Sequence, residues 1–371
     1  MNIPLAYPDV TEVEQSAVLE VLKTPHLSLG SKLVEFENKF KEYIGTSHAI
    51  AVSSGTAGLH LAIRALDIQE GDEVITTPFS FIASANCILF EKAKPVFVDI
   101  SPTSLNIDPS RIEQAITPKT KALIIVDVFG HPAEWDVITC IAKKHNLKII
   151  EDACEALGSE YKNKKCGSFG DIAVFGFYPN KQITTGEGGM VLTNDALLAD
   201  ACKSMSNQGR RVVDGKWFEH VRLGYNYRMS ELNAALGSAQ LARIDEIIKK
   251  RKKVAELYYT YLSNISEISI QSYPNHVNIS PFVFVIQLSN HYSSSNRDNV
   301  LKKLQSHGIQ CSNYFQCIHL QPFYRETFGY QEGSFSIAES ISQRTIALPF
   351  HHKLGEEEIA YIAETLKLCL L

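Results

Sequence analysis

The run LKIIEDACEALGSEYKNKKCGSFGDIAVFGFYPNKQITTGEGG, residues 147–189, decides how this chain reads. Leu147–Ile150 is an apolar run of strand length, and Glu151-Asp152-Ala153-Cys154-Glu155 follows it directly. A strand that ends on acids delivers carboxylates to its carboxyl end, where open α/β sheets bind ligands. Further on, Lys181 lies in a stretch that Pro179 and Gly186 mark as non-helical. A lysine held away from solvent, or beside another cation, loses its proton more readily and can form a Schiff base.

The same punctuation repeats on the N-terminal side. His48–Val52, Glu73–Thr76, Pro95–Val98 and Lys121–Val126 read as short strands. Thr56–Leu66, Ser80–Phe90, Pro109–Ala115 and Trp135–His145 read as the helices between them. Such alternation requires crossover connections, so the pattern predicts an α/β fold with a mainly parallel mixed sheet flanked by helices. Two helices precede the sheet. Thr11 and Glu14 have capping-box spacing, and Ser31 is the expected cap of a helix that carries Leu33, Phe36 and Phe40 on one face and stops at Gly45. On the C-terminal side one long helical stretch is expected from Ser230 towards Tyr259, with Lys249–Lys253 on its solvated face. Then come a strand at Pro281–Leu288, a polar loop at Ser289–Arg297, a helix at Asp298–His307 and a last helix at Glu356–Leu371. The expected division is a large α/β domain over 1–240 and a small α+β domain over 241–371.

Size agrees with two domains, because 371 residues exceed the roughly 250–300 at which one core stops growing. A formal net charge of −5 disfavours nucleic acid as a partner, since such binders carry a basic footprint. No run reaches the ~18 apolar residues of a membrane span, and the first residues lack the basic and apolar regions of a signal peptide. The eight cysteines show no CxxC pair or disulfide-framework spacing, which fits small buried hydrophobes in a reducing cytoplasm; no metal site is expected.

Two more segments carry candidate chemistry. Ser53-Ser54-Gly55-Thr56-Ala57 lies at a strand-to-helix junction, where small residues and free N–H groups suit a phosphate, although an ordinary capped turn reads the same way. Gly224-Tyr225-Asn226-Tyr227-Arg228-Met229-Ser230 reads as a polar, aromatic loop running into a helix and suits an interface. Taken singly, Asp152 is equally a helix cap or loop acid.

Together these segments resemble the DegT/DnrJ sugar aminotransferases, fold type I pyridoxal-phosphate enzymes. The likeness runs from about Ile3 to the C-terminus and is densest over Glu151–Gly189. It implies pyridoxal 5'-phosphate as cofactor. Lys181 is then the residue that forms the Schiff base and shuttles the proton, and Asp152 the partner of the ring nitrogen. Phe81 stacks on the ring, Gly55 and Thr56 bind the phosphate, and Asn226 reaches the phosphate of a neighbouring subunit in a homodimer with shared active sites. Tyr178 and His319 are implied substrate contacts. Two positions depart from common family patterns: Gly176 stands where many members have a serine that contacts the phosphate, and Glu155 where many have a glutamine near the cofactor's phenolic oxygen.

Relatives that remove a sugar hydroxyl carry histidine in place of the lysine, so Lys181 implies transamination. The implied reaction moves an amino group from L-glutamate to a nucleotide-linked keto sugar, with a 4-keto hexose of the perosamine type favoured and a 3-keto sugar as the alternative. A lyase or desulfurase of the same fold, and a non-catalytic sensor on the same scaffold, are the rival classes. Cys154 and Cys166 match no nucleophile motif of the former, and mere binding has no need of an electron sink.

Overall fold

The computed structural model describes residues 1–213 and 216–370. A seven-stranded sheet runs in the order His48–Val52, Gly189–Thr193, Ile172–Gly176, Lys148–Asp152, Thr120–Val126, Glu73–Thr76, Lys94–Phe97. Gly189–Thr193 is antiparallel to both of its neighbours and every other pairing is parallel, so the sheet is mixed. Helices cover both faces, which is why strands such as Thr120–Val126 are nearly continuous apolar runs.

His48–Val52, Glu73–Thr76 and Trp135–His145 fall where the sequence places them. The strand expected at Leu147–Ile150 is Lys148–Asp152, because Asp152 still pairs with Val126 and Val174. Asp152 therefore sits on the last rung of the ladder, held by backbone bonds on both sides, rather than in a loop beyond it. The stretch from Ser230 is two helices, Glu231–Ala242 and Ile244–Leu262, broken at Arg243. The expected polar loop at Ser289–Arg297 is overtaken by a helix from Ser294, which Ser293 starts by a reciprocal capping box with Asn296. The last helix is described over Glu356–Leu370, and Leu371 lies outside the described residues.

Thr11 and Glu14 do form the capping box. Ser31 does not cap its helix: it is the first helical residue, and Gly30 before it makes no side-chain cap bond. The Glu231 carboxylate does the capping from a distant part of the chain, accepting from the N–H groups of Gly30, Lys32 and Leu33 at 2.8–3.0 Å. An anion at a helix N-terminus satisfies donors that the helix itself leaves free.

Two cores lie on either side of the site. The 19-residue helix Ile244–Leu262 begins against Phe36, Phe40 and Phe177 through Ile244 and Ile247. It ends in a second core through Val254, Tyr258 and Leu262, which Ile286, Leu348, Ile362 and the N-terminal Ile3 complete. A seam of Phe79, Val126 and Phe129 against Phe315, Cys317 and Ile341 lies beside the main cavity.

Candidate active site

A cavity of about 730 Å³ opens at the carboxyl ends of the parallel strands. Ser54, Gly55 and Thr56 line it just after the strand His48–Val52, Asp152, Cys154 and Glu155 at the end of Lys148–Asp152, and Phe282, Tyr314 and Gln316 from the C-terminal part of the chain.

Asp152 is 4% exposed. Ser84 Oγ donates to its Oδ2 at 2.7 Å, and the Cys154 N–H donates to its Oδ1 at 3.2 Å. Sequence reasoning missed Ser84. Its signal was there: Ser80 and Ser84 are four apart, and their hydroxyls meet at 2.8 Å at the start of the short helix Ala83–Leu89.

Behind Asp152, the buried carboxyls of Asp127 and Glu151 lie close to the Cys166 thiol, all three ligand atoms within 4.8 Å. Glu151 accepts backbone N–H bonds from Gly167, Phe169 and Gly170. Burial, and for Asp127 also the nearby Glu151, pushes both acids up from the usual carboxylate range. Two full negative charges behind Asp152 are thus disfavoured.

Lys181 is fixed by its loop. Its N–H donates to Tyr178 O at 2.9 Å, Gln182 Nε2 donates to Glu155 O and Ser280 O, and Asn233 Nδ2 donates to Thr185 O and Glu187 O. The side chain is 15% exposed, with Nζ 3.6 Å from Glu155 Oε1 and 3.9 Å from the centre of the Phe282 ring. Glu155 is itself buried and anchored, because the Phe129 N–H donates to its Oε2 at 2.8 Å. Burial pushes the Glu155 carboxyl up, and the Lys181 charge opposes that.

At the other end of the cavity the helix Gly55–Ala65 presents its N-terminus. Ser54 caps it by accepting from the Ala57 N–H at 3.0 Å. A Cβ at Gly55 lies 3.0 Å from Cys154 Sγ and 3.2 Å from Gly176 Cα, so a larger residue here would have to push its neighbours back by a few tenths of an ångström. Phe81 and Tyr178 line the rim, exposed by 60% and 54%. Asn226 is exposed and is not among the residues lining the cavity of its own chain. Its loop nevertheless lies along the phosphate-type turn, since the Ser53 N–H donates to Tyr227 O at 2.8 Å.

His319 is a correction. It is fully buried outside the cavity lining, with Nε2 3.0 Å from Glu339 Oε1 and its ring edge-on to Phe335. The short turn Ile318–Leu320 directs Ile318 to the cavity and His319 into the protein, so His319 cannot be a substrate contact in this geometry. Gln316 and Gln321 are the polar residues of that segment that do line the cavity.

These residues fit pyridoxal 5'-phosphate on chemical grounds. A buried amine would hold the aldehyde, a strand-end carboxylate the ring nitrogen, and a glycine-lined helix N-terminus the phosphate. Sheet, seam and cavity are those of a fold type I enzyme that depends on this cofactor. Residues 8–367 match the DegT/DnrJ/EryC1/StrS aminotransferase family, and the chain belongs to that family. It is 39% identical to GDP-perosamine synthase of Escherichia coli O157:H7 over 98% of this chain and 97% of that one. It is 35% identical to the spore coat polysaccharide biosynthesis protein SpsC of Bacillus subtilis over 98% and 96% of the two chains. Among solved structures it superposes on PseC of Helicobacter pylori, an aminotransferase of pseudoaminic acid biosynthesis, with a TM-score of 0.94 and 31% identity, covering 100% and 99% of the two chains. A putative sugar aminotransferase of Streptococcus pneumoniae in its PLP form gives 0.95 at 29% identity, covering 100% and 99%. The protein is a PLP-dependent sugar aminotransferase.

Proposed function

We propose that the enzyme transfers an amino group from L-glutamate to a 4-keto hexose carried on a nucleoside diphosphate, producing a 4-amino sugar for a surface polysaccharide such as O-antigen. One observation carries the reading: a lysine, Lys181, shares the cavity with the strand-end carboxylate Asp152. The 39% identity to a GDP-perosamine synthase across nearly the whole chain supports this choice of sugar.

Pyridoxal 5'-phosphate, when bound, supplies an aldehyde that accepts the amino group and a ring that delocalises the electron pair left by proton loss. Asp152 keeps a proton on the ring nitrogen, with Ser84 and the Cys154 N–H holding its oxygens in place. Lys181 Nζ holds the cofactor between turnovers and, once released, moves the proton at the reacting carbon. Gly55 and Thr56 seat the phosphate, Phe81 covers one ring face, and Tyr178 contacts the sugar nucleotide at the rim. Asn226, exposed and outside the lining of its own cavity, completes the phosphate site of a second subunit in a homodimer.

The reading is tested by single turnover. Protein loaded with pyridoxamine phosphate is offered 3-keto and 4-keto sugars on UDP, GDP and dTDP. A 4-keto substrate restoring the aldehyde absorbance supports the proposal, and turnover with 3-keto sugars alone overturns it.

A further inference from the structure

We infer that Glu155 is the acid–base partner of Lys181 during cofactor capture: its carboxylate takes a proton from the Lys181 ammonium and returns it to the oxygen that leaves as water. This rests on Lys181 as the residue that binds the cofactor aldehyde, and is independent of which sugar is the substrate.

The geometry separates the two oxygens of Glu155. Oε2 is tied to the Phe129 N–H at 2.8 Å, whereas Oε1 faces Lys181 Nζ at 3.6 Å within the cavity. Phe129 reaches that carboxylate through a left-handed backbone, φ 58°. The Phe282 ring lies 3.9 Å from the same Nζ, so one side of the pair is apolar. The other titratable groups facing Glu155 are Asp152, Cys154 and Tyr314. Asp152 is held by Ser84 and the Cys154 N–H, and burial pushes the Cys154 thiol and the Tyr314 phenol up, which keeps both protonated.

An ammonium has no lone pair, so capture cannot begin until Lys181 loses a proton. Glu155 accepts it. The freed amine then forms a C–N bond to the aldehyde carbon, and the carbonyl π electrons move to oxygen. That oxygen takes up one proton from the nitrogen and a second from Glu155, and departs as water as the C–O bond breaks. Nitrogen ends with one proton and a positive charge, and Glu155 is again a carboxylate. No oxidant or further reactant is required.

The test uses cofactor-free full-length protein mixed with pyridoxal 5'-phosphate, with capture followed by stopped-flow absorbance. Replacing Glu155→Gln or Glu155→Ala slows capture by about 100-fold, the lower edge of general acid–base effects. Affinity for pyridoxamine phosphate, which forms no covalent bond, falls by a smaller factor than the capture rate, and added formate restores capture in the Ala variant. Unchanged capture, or capture and pyridoxamine phosphate affinity lost in parallel, overturns the proposal. Should neither variant fold, the wild-type pH profile decides. A bell shape is expected, because Glu155 must act first as a base and then as an acid; a capture rate that only rises with pH contradicts it. Borohydride reduction with peptide mapping separates the premises: no label on Lys181 removes the lysine assignment, whereas normal labelling with unchanged capture removes only the role of Glu155.

Discussion

Gly176 and Gly55 approach each other at the phosphate end of the cavity, and what each tolerates differs. A Cβ at Gly176 meets Cys154 Sγ at 3.4 Å and Gly55 Cα at 3.7 Å, ordinary contact distances, whereas a Cβ at Gly55 is crowded by backbone. Gly176→Ser is therefore accommodated and supplies the hydroxyl common among relatives. One neutral hydrogen bond is worth about 0.5–1.5 kcal/mol, so cofactor affinity rises about two- to tenfold in a pyridoxal-phosphate titration. Gly55→Ala is expected to weaken binding in the same titration. The residues that announce themselves in the sequence are those whose chemistry is unusual for their surroundings, Lys181 and Asp152 above all. Ser84 and Phe129 act through one hydroxyl and one backbone N–H, groups that any helix or turn can offer, so only the packed structure shows that they hold the two site carboxylates.

Among the elements, the N-terminal helix Glu12–Leu22 is tied to the helix break at Arg243. Glu14 accepts from Thr11, Gln240 and Arg243, the last at 2.7 Å, and Arg243 also reaches Asp9 at 3.2 Å. Burial of Glu14 works against ionisation, but these donors win and hold its carboxyl down to about 2. A carboxyl lower in the folded than in the unfolded state contributes stability above its unfolded value and loses it as pH falls through the folded one. Glu14→Gln should thus cost about 2–3 kcal/mol near neutral pH, and the gap to wild type should close between about pH 4.5 and pH 2 in denaturant titrations. The local half of this arrangement, the capping box, was legible three residues apart. The Arg243 half was not, and nor was the Glu231 cap on the helix Ser31–Ile44, because both join parts of the chain about 200 residues apart. Strands were read wherever apolar runs stood between turn residues. Ile172–Gly176 and Gly189–Thr193 escaped notice because glycines at or next to their ends made them look like loop.

For the whole molecule, the shared-site reading makes a symmetric prediction. Lys181→Ala subunits keep a sound Asn226, and Asn226→Ala subunits keep a sound Lys181. Mixing equal amounts and letting subunits exchange makes half the dimers mixed, each with one intact and one doubly defective site. Activity should therefore recover to about a quarter of the wild-type level. Activity no higher than the mean of the two parent variants contradicts a shared site. The α/β class and the strand-end position of the site follow from sequence periodicity, whereas the seam that closes the cavity with Phe282, Tyr314 and Gln316 depends on how two cores pack. The misplacement of His319 has the same origin: a tight turn sends neighbouring residues in opposite directions. Beneath all of this lies the assignment of one amine to the cofactor. Reducing the cofactor-loaded protein with borohydride and mapping its peptides tests that directly: the account predicts a single phosphopyridoxyl adduct on Lys181, and an adduct on another lysine, or none, contradicts it.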